Sequence, residues 1–216
     1  MSSVRTLTTR GSLPGRPHPA SIRTASASLR IPVALLLGLF CAAAWAHGAS
    51  VGVKQARRLA LYRALAGATA ITEGHGPRVV YDFFDPNCPY CHILYERLRG
   101  LIGPYHLTVR EIPVGYLTPS SVGKAAALLE ATHKRAALQA AQAHYSWKTG
   151  SSIAPRPPSP LVRQQLARNL KLDTQAAGFP LVPILVYQKT DGTIRIVNSG
   201  APPVWALKQI LASIKG

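Results

Sequence analysis

The chain has 216 residues, 47% of them hydrophobic, which suits one folded domain preceded by a leader. Its formal net charge is +17 at pH 7. Residues 1–46 hold five arginines and no acidic residue, so 20 basic and 8 acidic residues remain beyond them, a net charge of +12. These basic residues are scattered and accompany no RNA- or DNA-binding motif, which argues against a nucleic-acid-binding protein. They favour contact with anionic lipid or acidic substrate proteins.

The first 46 residues predict a signal peptide. Residues 1–30 are basic and rich in Ser, Thr and Pro, a composition typical of unstructured chain. The apolar run 31–45 then leads to Ala44-Trp45-Ala46, which resembles a signal-peptidase site, so we expect cleavage after Ala46 and loss of Cys41. The alternative is an uncleaved membrane anchor, although about 15 apolar residues fall short of the roughly 20 that span a bilayer. Export predicts an oxidising compartment.

Residues 47–77 predict a helix and a linker. Apolar residues recur among basic ones over Val51–Ala66, as in an amphipathic helix. Gly67–Gly76 shows little pattern, so we expect a linker there. About 30 residues between the cleavage site and Arg78 are too few for a separately folded domain without a metal or several disulfides.

The main domain, predicted over 78–216, begins with a buried strand that leads into a pair of cysteines. β-branched and aromatic residues run from Val79 to Phe84, and Asp85-Pro86-Asn87 predicts a turn. Cys88 and Cys91 follow, and apolar residues at helical spacing continue the chain. The pattern predicts a helix that opens on the cysteine pair.

A cysteine in the first turn of a helix lies among unpaired backbone N–H groups, at the positive end of the helix dipole. Both effects lower the pKa of a thiol below its ordinary value of about 8.5, so we predict Cys88 as the nucleophile. Cys91 is placed to attack a mixed disulfide formed at Cys88. Pro89 suits the first helical turn, and we also expect it to contact substrate. We expect Tyr90 to tune the couple and contact substrate, and His92 to modulate the thiolate.

The rest of the chain predicts an α/β fold with a mixed sheet and an inserted helical segment over about 119–173. The predicted elements are a strand at 107–114, an Ala-rich helical segment at 119–144, a helix at 161–172, a buried strand ending at Tyr187, a hairpin at 188–197 and a closing helix at 204–214. Asp191-Gly192 is the turn signal of the hairpin.

Three other uses of the cysteine pair stay open on the motif alone. Cys88, Cys91 and His92 match the C-x-x-C-H pattern of haem attachment, although the sole methionine, Met1, is a poor source of a second axial ligand. A structural zinc site wants four ligands, and no second cysteine pair exists. A structural disulfide across so short a loop would restrain little of the chain. We predict no metal and no cofactor.

Four stretches resemble the periplasmic DsbC/DsbG thiol:disulfide interchange proteins, most closely the DsbG type. They are FFDPNCPYCH (83–92), ILYERLRGLI (93–102), IPVGYLTPSSVGKAAALLEA (112–131) and LVPILVY (181–187). The resemblance runs from about Ile71 to Gly216. It implies a thioredoxin-like fold and an enzyme that reduces or isomerises protein disulfides or, in the DsbG type, reduces sulfenic acids.

The resemblance also implies roles for individual residues. It identifies Cys88 as the nucleophile, Cys91 as the resolving thiol and Pro183 as a cis-proline. The family usually has threonine before this proline, whereas this chain has Val182, so we expect the backbone of Val182 to pair with an extended substrate segment. Most of the family's N-terminal dimerisation domain is expected to be missing, which predicts a monomer or weak oligomer.

These observations predict an exported thiol:disulfide oxidoreductase. Its expected partners are exported cysteine-containing proteins and a membrane electron donor or acceptor of the Dsb type. The first alternative is a monomeric thiol oxidase, because a couple whose reduced form is stabilised as a thiolate readily oxidises other thiols. A haem-binding electron carrier and a non-catalytic scaffold are the alternatives from other classes.

Overall fold

The computed structural model describes residues 52–216. The predicted signal segment, its cleavage site and Cys41 lie outside the described residues. Within 52–216, no helix combines the length and the apolar character needed to cross a membrane.

A five-stranded mixed sheet forms the centre of the domain. Its strands are β1 (Ile71–Gly74), β2 (Arg78–Phe84), β3 (Leu107–Pro113), β4 (Ile184–Gln188) and β5 (Ile194–Val197). Their order is β1-β3-β2-β4-β5, with β2 and β3 parallel and the other pairs antiparallel. The hairpin predicted around Asp191-Gly192 is present, and Gly192 has the positive φ (80°) that its turn requires.

Six helices surround the sheet within residues 52–216. They are α1 (52–65), α2 (Pro89–Arg99), α3 (Ser121–Glu130), α4 (Lys134–Ala143), α5 (Pro160–Ala177) and α6 (Val204–Ala212). Because a parallel strand pair needs a crossover, α2 connects β2 to β3 and thereby places the cysteine pair at the end of the central strand β2. Helices α3 to α5 form the predicted insert between β3 and β4.

Alternating residues of β2 divide the core between the two faces of the sheet. Phe83 packs with Leu65 of α1 on one face, whereas Val80 packs with Leu94 of α2 and Leu207 of α6 on the other. A third cluster joins the cysteine pair to the helical insert. This cluster places both sulfur atoms at a boundary between the sheet end and the inserted helices.

One local prediction needs correction. The segment 67–76, expected to be a linker, contains β1, which pairs antiparallel with β3 from Ile71 to Gly74. Four residues at a sheet edge carry too little periodicity to be recognised, and their strand conformation depends on the partner strand. The predicted Ala-rich helical segment consists of two helices, α3 and α4, because Ala131 adopts an extended conformation (φ −65°, ψ 138°) after Glu130.

Candidate active site

The cysteine pair lies at the N-terminus of α2, where the sequence places it. Cys88 is the N-cap residue with extended backbone angles (φ −79°, ψ 117°), and Pro89 begins the helix. The backbone N–H of Cys91 donates a hydrogen bond to Sγ of Cys88 at 3.2 Å. The sulfur of Cys88 therefore accepts a hydrogen bond at the position where a Ser or Asp side chain caps other helices. Both cysteines are free thiols.

The two thiols differ in how easily they ionise. Hydrogen bonding from the side chain of Cys91 lowers the pKa of Cys88 from its ordinary value most strongly, and the backbone N–H groups of Cys91 and Tyr90 lower it further, against the opposing effects of burial and of the Asp85 charge. The pKa of Cys91 is raised well above its ordinary value, first by burial and then by the hydrogen bond and charge of Cys88. Cys91 is only 1% exposed and Cys88 3%. The pair therefore combines one stabilised thiolate with one neutral thiol.

The loop before β4 lies directly against the nucleophile. The Val182–Pro183 peptide bond is cis, as the resemblance implies. The carbonyl oxygen of Val182 lies 3.9 Å from Sγ of Cys88. Pro183 is buried and Val182 half-buried, whereas the side chain of Tyr90 is exposed. The structure thus brings Cys88, Cys91 and the Val182–Pro183 backbone together, and their roles toward a substrate stay predictions.

His92 contacts α4 and the loop after it. Its Nδ1 lies 2.9 Å from Oε1 of Gln142, and its ring stacks on Tyr145 with centroids 4.2 Å apart and planes 5° apart. Among the described residues, no hydrogen bond joins its side chain to either cysteine sulfur. The predicted effect of His92 on the thiolate stays untested, whereas its packing against the insert is a structural finding.

Asp85 fixes the turn before the cysteines. Its Oδ1 accepts the Asn87 N–H at 2.9 Å and the Ser121 hydroxyl at 2.7 Å. Its Oδ2 accepts the N–H groups of Tyr116 and Leu117 at 2.9 and 3.1 Å. One buried carboxylate therefore joins the active-site turn to the segment that precedes α3.

Lys124 is a buried residue that the sequence analysis missed. It is 6% exposed, and its ammonium group donates to Oδ1 of Asn87 at 2.8 Å and to the carbonyls of Thr149 and Ser151 at 2.5 and 2.7 Å. Burial lowers its pKa from the ordinary value. In the sequence, a single lysine within the apolar run after Gly123 could have indicated a buried cation. Its acceptors, however, come from a loop that is distant in the sequence.

Two buried carboxyl groups lie side by side in the sheet near the cysteines. Asp82 of β2 and Glu111 of β3 are register partners. The pKa of Asp82 is raised well above its ordinary value, first by burial and then by the charge of Cys88. The pKa of Glu111 is raised likewise, by burial and then by Asp82. Burial therefore favours the protonated form of both groups.

The geometry bears on the haem and zinc alternatives. Haem attachment needs both sulfur atoms accessible to the edge of a macrocycle, whereas Cys91 is enclosed in the core cluster with Tyr95 and Leu128. Within residues 52–216, no three His, Cys, Asp or Glu side chains are grouped so that they could hold a metal ion. The arrangement suits thiol chemistry instead, because the stabilised sulfur of Cys88 lies 3.9 Å from the carbonyl of Val182, a half-buried residue.

We predict that Lys124→Met lowers the free energy of unfolding by about 2–4 kcal/mol, because three acceptors lose a charged donor in a buried position. Lys134→Met, at an exposed position on α4, is the matched control and should change stability by less than about 0.5 kcal/mol. Urea unfolding of the reduced protein measures both. Equal values for the two variants would contradict the inferred role of Lys124.

We also predict that one thiol ionises with a midpoint below about 8.5, measured by the ultraviolet absorbance of the thiolate against pH. Cys88→Ser should remove this transition, because the pKa of Cys91 is raised. Since the folded pKa of Cys88 lies below its unfolded value, the charge contributes stability at high pH that is lost as the pH falls through the folded pKa. A midpoint at or above 8.5 would show that the hydrogen bond from Cys91 does not stabilise the thiolate.

Comparison with curated proteins finds DsbG thiol:disulfide interchange proteins. The chain is 35% identical over 136 residues to DsbG of Pseudomonas aeruginosa, covering 62% of this chain and 51% of that protein. It is 27% identical over 122 residues to DsbG of Escherichia coli, covering 55% and 47%. The chain thus spans about half the length of the curated relatives that it matches. No family model matches the chain.

Solved structures of low sequence identity share the fold. A periplasmic thioredoxin-like protein from Salmonella enterica serovar Typhimurium aligns with a TM-score of 0.54 at 20% identity, covering 66% of this chain and 88% of that one. Proteus mirabilis ScsC in a transitional conformation aligns with a TM-score of 0.55 at 19% identity, covering 83% and 93%. The predicted α/β, thioredoxin-like fold class is confirmed. Residues 52–216 therefore form a thioredoxin-like domain, and the curated homologues of this chain are DsbG thiol:disulfide interchange proteins.

Proposed function

We propose that this chain is a thiol:disulfide oxidoreductase that reduces or isomerises disulfides of exported proteins, with Cys88 as nucleophile and Cys91 as resolving thiol. One observation carries the proposal. The sulfur of Cys88 accepts the Cys91 N–H at the start of α2 while it faces the carbonyl of Val182, the residue before the cis-proline. A stabilised thiolate thus lies beside an extended backbone that can receive a peptide.

The first chemical step is attack of the Cys88 thiolate on one sulfur of a substrate disulfide. The substrate S–S bond breaks, a mixed disulfide forms at Cys88, and the other substrate sulfur leaves as a thiolate. The depressed pKa of Cys88 supports this step, because only the thiolate is nucleophilic. A substrate sulfenic acid would give the same mixed disulfide and release water after protonation of its hydroxyl group.

The second step follows either of two routes. Cys91 loses its proton and attacks Cys88, which releases the reduced substrate, leaves a Cys88–Cys91 disulfide and transfers two electrons to the substrate. Alternatively, another substrate thiolate attacks the mixed disulfide, which isomerises the substrate with no net electron transfer. The burial of Cys91 supports its role in the first route, since a protected thiol reacts mainly with its neighbour.

The reductive route needs a dithiol that returns electrons to the Cys88–Cys91 disulfide. We assign this part to a membrane donor of the Dsb type, and we place the protein in the periplasm. Both assignments are supported by the predicted signal segment and by the DsbG relatives. The protein substrates are taken to be exported proteins that contain cysteines.

The second candidate function is a thiol oxidase. It is favoured by the lowered pKa of Cys88, because stabilising the thiolate stabilises the reduced pair and makes the disulfide form a stronger oxidant. In that case, the same two steps run in reverse. A substrate dithiol becomes a disulfide, and a membrane acceptor takes the electrons.

The proposal predicts different effects for the two cysteines. Cys88→Ser should abolish the acceleration that the protein gives to the reduction of a disulfide-bonded test protein by dithiothreitol. Cys91→Ser should instead accumulate a mixed disulfide at Cys88, because the resolving thiol is missing. Gel electrophoresis without reducing agent and mass spectrometry measure this species. Full activity of Cys88→Ser would contradict the proposal and favour a scaffold.

The direction of electron flow is tested in intact cells that carry the full chain. Acid quenching followed by alkylation and mass spectrometry gives the redox state of Cys88 and Cys91. We expect a mostly reduced pair, as a reductase or isomerase supplied by a donor requires. A mostly oxidised pair would contradict the reductive direction and establish the oxidase alternative.

A further inference from the structure

We propose that Trp147 and the groove beside it bind a large apolar side chain of the substrate protein, close in sequence to the cysteine that reacts with Cys88. This inference deepens the proposed function and rests on it. The site would take an extended polypeptide segment with an aromatic or aliphatic residue near its cysteine, and with neutral or acidic neighbours. Such a site would make the enzyme select among protein substrates, because thiol–disulfide exchange by itself does not distinguish one substrate disulfide from another.

Trp147 is exposed, yet its orientation is held by two other rings. Its side chain is 69% exposed and meets the rings of His92 and Tyr145 edge-on, with centroids 6.3 and 6.0 Å away and planes at 85° and 82°. His92 and Tyr145 stack on each other. We call these three residues the aromatic platform. A held, exposed indole offers apolar contact area at little cost in conformational entropy, as anchor residues of binding surfaces do.

The loop that carries Trp147 is fixed to the active-site turn. Ser146 and Gly150 exchange two backbone hydrogen bonds of 2.9 and 2.8 Å. The ammonium group of Lys124 donates a hydrogen bond to the carbonyl of Thr149 at 2.5 Å. Gly150 has a positive φ of 76° and lies so close to Asn87 that a Cβ atom would collide with it. The indole therefore has a defined position relative to the turn at Asn87.

The groove next to Trp147 extends to Asn87, the residue directly before the reactive cysteine. It measures about 350 Å³, within the size range of ligand pockets, and its lining includes Asn87, Thr118 and Lys148. Asn87 directly precedes Cys88, and its carbonyl accepts the hydroxyl of Tyr145 at 3.1 Å. Because each extended residue spans about 3.3 Å, a segment whose cysteine reaches Cys88 can place a side chain in this groove within a few residues.

The charge of the groove limits what it can receive. Its lining contains Lys148 and no acidic residue: Asn87, Thr118, Pro119, Ser120, Trp147, Lys148, Thr149 and Gly150. A basic segment would therefore be repelled, whereas a neutral or acidic segment would not. An extended peptide fits better than a folded partner, because the carbonyl of Val182, 3.9 Å from Sγ of Cys88, can pair with an extended backbone whose cysteine reaches Cys88.

Trp205 provides a matched comparison within the same chain. It is 66% exposed on α6, and among the described residues no aromatic ring packs against it. Trp147 and Trp205 are therefore equally accessible, but only Trp147 belongs to a built surface that adjoins Cys88. Replacing either residue removes an exposed indole of similar accessibility. A difference in exchange rate between the two variants therefore shows that the position of Trp147 beside the active site matters.

The experiment compares exchange rates for three disulfides. Two are peptides whose single cysteine forms a mixed disulfide with glutathione. One peptide has Phe at the second position before and the second position after the cysteine, and the other has Ser at both positions. The third is oxidised glutathione, which has no apolar side chain. We expect Trp147→Ala to lower kcat/KM for the Phe peptide about tenfold, mainly through KM, and to leave the Ser peptide and glutathione unchanged.

The control variants complete the test. Trp205→Ala should leave all three rates unchanged, and Trp147→Phe should restore most of the preference for the Phe peptide. Equal rates of wild type and Trp147→Ala toward the Phe peptide would overturn the inference while leaving the proposed function intact. Failure of the wild type to exchange with any of the three disulfides would overturn the proposed function and the docking site together.

Discussion

The hydrogen bond from the Cys91 N–H to Sγ of Cys88 is the interaction on which the site depends. It is the capping bond of α2, so the start of the helix and the stabilisation of the thiolate are the same structural feature. Any change that shifts the first turn of α2 would also change the ionisation of Cys88. The position of that turn is therefore a chemical requirement as well as a structural one.

The neighbouring residues meet this requirement by fixing the turn from two sides. Asp85 accepts four hydrogen bonds, two of them from the segment before α3. Lys124 binds Asn87 on the other side and also holds the loop that carries Trp147. Burying a cation or a carboxylate costs desolvation free energy. Here hydrogen bonds offset that cost, because the ammonium group of Lys124 has three acceptors and the carboxylate of Asp85 has four donors. The helical insert thus acts as the support of the cysteine pair.

The sequence could predict the elements whose signal is local. The strand into Phe84, the turn at Asp85 and the helix opening at Cys88 follow from periodicity and turn chemistry, and the structure has all three. The insert support could not be predicted, because Lys124 and its acceptors at Thr149 and Ser151 are joined only by tertiary packing. An isolated lysine in a sequence is normally a solvated residue.

The strand β1 and the aromatic platform show the same limit. Ile71–Gly74 becomes a strand because β3 offers an edge, and no pattern within four residues reveals a distant partner. His92 and Tyr145 are far apart in the chain, yet they stack because α2 and the end of α4 meet. Resemblance to a family supplied what local rules could not, namely the approach of Val182 and Pro183 to Cys88.

The buried groups around the pair also determine where negative charge resides. Burial raises the pKa values of Cys91, Asp82 and Glu111, and each negative charge nearby raises them further. Neighbouring groups of like charge in a low-dielectric interior do not all ionise together. Of the two thiols, Cys88 is the one whose pKa hydrogen bonding lowers, so the negative charge of the pair lies on its sulfur. The different reactivities of two chemically identical thiols therefore arise from position: one is at the helix terminus, and the other is enclosed behind it, where burial raises its pKa.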